Sequence, residues 1–179
     1  MLLKKLKQEK FDADYQGATI TTFSFEGQIE VIDFINSDYF RIDCTRDDIK
    51  EKPLQQQNNY LKPAFNLEKL SIEDFRALNL SGLISFFDKY AAGEWGESDR
   101  EDFIVVWNEL RNHLSQLGDS FTFFLISKEW FENQESRKNS EKADIKLKEP
   151  EFWIYGYYFI VVGISKAKND LIAIVMFYD

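Results

Sequence analysis

The chain has 179 residues, 44% apolar and 30% charged, with a formal net charge of −9. This balance excludes a disordered polymer and predicts one soluble domain over residues 1–179, able to bury about 70% of its unfolded surface. A single cysteine, Cys44, excludes an internal disulfide and any multi-cysteine zinc site, and it suits a reducing compartment.

Residues 1–10 (Met-Leu-Leu-Lys-Lys-Leu-Lys-Gln-Glu-Lys) carry net +3. They lack the long apolar run and small-residue cleavage site of a signal peptide, and read as a basic arm or a short helix. No apolar stretch reaches the roughly 18 residues of a membrane span, so a cytoplasmic location is expected. Residues 11–127 hold 21 acidic and 10 basic side chains. That field repels phosphate backbones, which argues against general nucleic-acid binding and favours a basic protein partner.

Ala18–Phe25 and Gln28–Ile35 are rich in β-favouring residues and meet at Glu26-Gly27, a tight-turn signal. Tyr39–Cys44 reads as a third strand, completing a meander. Residues 45–63 form a polar loop with Gln55-Gln56-Gln57-Asn58-Asn59 between Pro53 and Pro63. Ser71 caps a short helix from Ile72. Leu83, Ile84, Phe86, Phe87 and Tyr90 then recur at helical spacing. After the break at Gly93–Glu97, Ser98-Asp99-Arg100-Glu101 reads as a capping box. The helix it opens is expected to reach Leu117, stop at Gly118, and bury Phe103, Trp107, Leu110, Leu114 and Leu117.

Phe121–Ser127 is a fourth strand, and 128–135 has the pattern of a helical turn. Residues 136–150 are a charged connector ending at Pro150. From Glu151 to Asp179 two β-favouring runs flank Lys166-Ala167-Lys168-Asn169-Asp170, the pattern of a hairpin. Both runs are apolar at both parities. Phe152, Ile154, Tyr158, Ile160, Val162 and Ile164 give a largely aliphatic face assigned to the core. Trp153, Tyr155, Tyr157, Phe159 and Val161 give an aromatic face, whose hydroxyls need partners if covered. The predicted fold is therefore α+β, a mainly antiparallel sheet of about five strands packed with two or three helices.

Catalytic signatures are lacking. There is no glycine-rich phosphate loop. The single histidine, His113, stands four residues after Glu109, a spacing that pairs side chains on a helix. A catalytic Cys44–His113 pair would need the two to meet in space; a small buried apolar role suits Cys44 better. Asp43, Asp47 and Asp48 interleave with Arg41, Arg46 and Lys50, which reads as a self-paired charge run rather than a cation site. No cofactor and no metal site is expected.

Two features point to recognition instead. Glu94, Trp95 and Glu97 form an acidic loop with a possible tryptophan anchor, since tryptophan is enriched at binding hot spots. In the competing arrangement Trp95 folds back on Phe87 or Tyr90. The second feature is the aromatic hairpin face, with Trp153, Tyr155 and Tyr157. Together these give three expectations. The first is a non-enzymatic module binding a basic protein partner. In size and acidity such a chain is similar to immunity proteins that neutralise bacterial toxins, a likeness of composition that carries no motif. The second is a small-ligand binder, or an enzyme that works without histidine, with an aromatic pocket. The third is a homodimer formed through an outer strand or the aromatic face.

Overall fold

A computed structural model describes residues 2–44, 67–127 and 156–178. The polar loop 45–63, the helical turn at 128–135 and the charged connector 136–150 lie outside the described residues. The elements are β1 (Leu2–Ala13), β2 (Gln16–Glu26), α1 (Val31–Ile35), α2 (Asp38–Asp43), 3-10 turns at Leu67–Lys69 and Ile72–Asp74, β3 (Arg76–Leu78), α3 (Leu80–Ala91), α4 (Glu97–Leu114), β4 (Thr122–Ser127), β5 (Tyr158–Ser165) and β6 (Asp170–Tyr178). The six strands form one sheet in the order β1-β2-β6-β5-β4-β3, and every pairing is antiparallel. The fold is thus α+β; among the described residues the sheet has six strands rather than about five, with four α-helices rather than two or three.

The C-terminal hairpin lies at the centre of this sheet. β6 pairs with β2 on one side, Ile20 opposite Ile174, and with β5 on the other, Val161 opposite Ile174. A strand flanked on both sides has its backbone ladder satisfied internally, and packing covers both faces of this hairpin, which is why its runs are apolar at both parities. Successive side chains alternate between faces, and each face has its own core. Phe23, Phe25, Ile160, Val162, Ala173 and Val175 pack with Val31, Phe34 and Ile35 of α1 and with Phe40. Ala18, Ile20, Phe159, Val161, Ile172, Ile174 and Met176 pack with Leu83 and Phe87 of α3 and with Phe103, Val106, Trp107 and Leu110 of α4. Over the described residues of the hairpin, the aliphatic face meets one core as expected, and Tyr157, Phe159 and Val161 of the other face are buried in the second.

Three predicted elements differ from the structure. Leu2–Lys10 is neither arm nor helix; it is most of β1, paired with β2 from Leu2 opposite Glu26 to Ala13 opposite Gln16. The register shifts between Lys5 and Lys7, and that irregularity scrambles the alternation by which a strand is recognised in sequence. Gln28–Ile35 and Tyr39–Cys44 are not strands: Val31–Ile35 and Asp38–Asp43 are short helices. Val31, Phe34 and Ile35 bury one side of α1 against the sheet, and this packing overrides their β preference.

The helices opposite follow the sequence more closely. Asn79 caps α3, its side-chain oxygen accepting from the Gly82 N–H at 2.8 Å. The N-cap of α4 is Gly96, with no side-chain cap, so Ser98–Glu101 lies within the first turns and does not form the expected box. A capping box does occur at the short 3-10 turn, where the Ser71 N–H donates to the Asp74 carboxylate at 2.7 Å. α4 ends at Leu114 rather than Leu117; Gly118 follows with φ +73°, a backbone that glycine adopts without strain. α3 and α4 are clasped by Asp88, whose carboxylate accepts from the Trp107 indole at 2.9 Å and pairs with Arg111 at 3.2 Å.

Candidate functional site

At one end of the sheet the β1–β2 turn, the loop between α3 and α4, the N-terminal turn of α4 and the end of β6 converge. Trp95 organises the loop. Its indole N–H donates to the Tyr90 carbonyl at 2.9 Å. Its ring lies 5.2 Å from Tyr90, 4.9 Å from Phe103 and 6.0 Å from Tyr157 between centroids. The residue therefore folds back on Tyr90 and is half-buried. The edge-to-face contacts with Tyr90 and Tyr157 each add about 0.5–1.5 kcal/mol beyond burial. They hold the loop still, and Glu94 beside Trp95 stays exposed.

Beneath Trp95 lies a short polar chain within an apolar layer. Tyr157 is buried, 1% exposed, and its hydroxyl donates to Gln16 Oε1 at 3.0 Å. Gln16, 2% exposed, donates in turn through Nε2 to the Asp99 carbonyl at 2.6 Å. Thus three distant segments, β2, the residue preceding β5 and α4, share one satisfied network, the only tolerable form of buried polar group. Burial first, and then the Asp102 charge and neighbouring Tyr178, hold the Tyr157 phenol above its ordinary value. Its hydroxyl is a donor throughout the physiological range and not a base.

Tyr178 faces the carboxylates from the sheet side. Its hydroxyl is hydrogen-bonded to Asp99, which raises the phenol pKa; desolvation and the charges of Asp99, Asp102 and Asp14 add to the shift. Hence Asp14 of the β1–β2 turn and Asp99 and Asp102 of α4 belong to one acidic end. Asp99 and Asp102 lie in the first two turns of their helix, where negative charge complements the dipole. Asp14 takes the left-handed region with φ 48° and passes the chain to Tyr15, which is 66% exposed. Nothing in the sequence flagged Asp14 or Tyr15; a turn of Asp followed by an aromatic residue is a weak signal until the fold sets it beside α4.

The structure brings together four of the predicted features: Glu94, Trp95, the backbone of Glu97 and Tyr157. Trp153 and Tyr155 lie outside the described residues. Tyr157 itself sits under Trp95, Tyr90 and Phe103. A shallow groove of about 410 Å³ on the outer side of α3 is lined by Ser81, Ile84, Ser85, Asp88, Lys89 and Ala92, with no aromatic wall.

His113 does not pair with Glu109. Its Nδ1 lies 3.0 Å from Glu9 of β1, tying α4 to the edge strand. Cys44 is buried among Phe34, Phe40 and Ile35 on the opposite side of the sheet. The sheet therefore separates thiol and imidazole, and no nucleophile–base pair can form between them. Asp47 and Asp48 lie outside the described residues. No group of three or more His, Cys, Asp or Glu residues among the described residues could hold a metal ion. No helix among them is long and apolar enough to cross a membrane.

Fold and site together define an α+β protein with helices on both faces of an antiparallel sheet and an end where Asp14, Asp99 and Asp102 surround Tyr178. No family model, curated protein or solved structure matches the chain.

Proposed function

We propose that the chain is a protein-binding module that presents its acidic end to a basic partner. The observation carrying this reading is the anchored loop. Trp95 spends its indole N–H and its ring on Tyr90, Phe103 and Tyr157, and this leaves Glu94 exposed in the loop that leads into the helix of Asp99 and Asp102. Preorganised charge lowers the ordering cost of association and steers an oppositely charged partner. Trp95 is then a positioning residue, and Glu94 and Glu97 form the contacting rim. Masking the basic surface of a toxin, as immunity proteins do, is the form of this activity that a small acidic chain suits.

The test compares the immobilised chain with a Glu94→Lys, Glu97→Lys variant that retains its circular dichroism spectrum. A basic protein from the native cell should bind the parent at low salt, elute on raising salt, and fail to bind the variant. Retention indifferent to both salt and charge reversal would sink the reading.

A further inference from the structure

Tyr15 is the most exposed large apolar side chain among the described residues, at 66%, and the one aromatic ring in that exposed set. It forms the β1–β2 turn with Asp14, between the paired residues Ala13 and Gln16. Two-residue turns favour small, flexible residues, so the turn itself does not call for a ring. Among the described residues no hydrogen bond, ion pair or ring contact holds Tyr15. Neither packing nor turn geometry accounts for its display.

The turn is fixed against the acidic end. Gln16, the next residue, stands opposite Tyr178 on β6 and donates to the Asp99 carbonyl at 2.6 Å. Asp14, the residue before, lies near enough to Tyr178 for its charge to act on the phenol, together with Asp99 and Asp102. None of these three carboxylates pairs with a basic side chain among the described residues. Arg100, beside Asp99 in the chain, spends its Nε–H on the Ala91 carbonyl at 3.0 Å. A free aromatic ring is thus set among carboxylates that no base of the described residues neutralises.

Ring and carboxylates act differently on a cation. Carboxylates attract ammonium and guanidinium alike, and they govern steering and salt dependence. An aromatic ring discriminates. A guanidinium is planar and weakly hydrated, so it can stack on the ring while its N–H donors reach carboxylates; an ammonium is compact and keeps its water. Resting on the acidic-end reading above, we infer that Tyr15 is the selectivity residue of that end, and that the partner presents an arginine side chain to the Asp14–Tyr15 turn. The Glu94 rim supplies attraction, and Tyr15 supplies the choice of cation.

The test titrates the full chain at low salt into two fluorescent peptides of equal charge, hexa-arginine and hexa-lysine, and follows anisotropy. The parent should favour hexa-arginine by about two- to fivefold, the advantage of one exposed cation–π contact. Tyr15→Ala should remove that advantage and leave hexa-lysine affinity unchanged. Tyr15→Phe should keep it, because the ring and not the hydroxyl carries the choice, and this variant also controls for folding. A parent that binds neither peptide, or both equally, would overturn the inference. So would an arginine preference that survives Tyr15→Ala or is lost to the same degree in Tyr15→Phe. Failure of the acidic-end reading looks different: Glu94→Lys with Glu97→Lys would then leave both affinities and their salt dependence unmoved.

Discussion

Deleting Leu171–Asp179 removes most of β6, and its effect can be worked from the structure. Leu171, Ile172, Ile174, Val175, Met176 and Phe177 are all at most 8% exposed, and they divide between the two cores. At about 1.5–3 kcal/mol for each large apolar side chain, the lost burial is roughly 9–18 kcal/mol, an upper bound because unfolded chains are already partly compact. A domain of this size is stable by only about 5–15 kcal/mol. The deletion also strips the inner edges of β2 and β5, which then lack ladder partners on that side. The truncated chain should therefore show no cooperative transition in thermal unfolding followed by near- and far-ultraviolet circular dichroism. Ile174→Ala serves as the graded control: it should unfold cooperatively, but with stability lowered by about 2–5 kcal/mol in urea. A truncated chain that retained a sigmoidal, reversible transition would refute the placement of β6 at the centre of both cores.

Tyr157→Phe leaves Gln16 Oε1 without its donor and should cost about 1–3 kcal/mol by chemical denaturation; an unchanged midpoint would show that the buried chain contributes nothing. Because the folded state holds the Tyr157 phenol above its unfolded value, the native form keeps a proton that the unfolded chain gives up. Stability should thus be intact below pH 10 and fall as pH rises further, with a shallower fall in Tyr157→Phe. Gly163→Ala would place a methyl group 2.7 Å from Cε1 of the Phe123 ring. Overpacking between β4 and β5 should lower stability by about 1–3 kcal/mol, read from the melting temperature.

What could be seen in the sequence was whatever the backbone and core decide together. β2, β4, the C-terminal hairpin, α3 and α4 combine strong periodicity with clear breaks, and each lies close to its expected position. β1 was hidden because an edge strand need bury little: among its twelve residues only Leu3 is buried, and polar or charged residues fill seven of the other positions. α1 was hidden by its brevity. At five residues, Val31–Ile35 cannot display a helical repeat, and its β-branched composition points the other way. The loop at Trp95 was visible as a feature but not as an assembly. Its partners Tyr90 and Phe103 are near in sequence, whereas Tyr157 beneath it, and Gln16 and Asp14 beyond, come from segments far away along the chain. The same distance explains His113, whose partner Glu9 comes from an edge strand that only the sheet order places beside α4.

The sheet order also governs the sequence of events by which the domain can be built. β2 finds its inner neighbour in β6, with Thr19 opposite Val175 and Phe23 opposite Leu171, across more than 140 residues. Until residues 158–178 have been synthesised, the β1–β2 hairpin can close only upon itself, with one edge of β2 open and Phe23 and Phe25 unprotected. Closing so large a loop is slow, and open edges invite wrong partners meanwhile. The lysines of β1 shield the outer edge of that hairpin during the wait, while its inner edge depends on the rapid arrival of the hairpin that will occupy the middle.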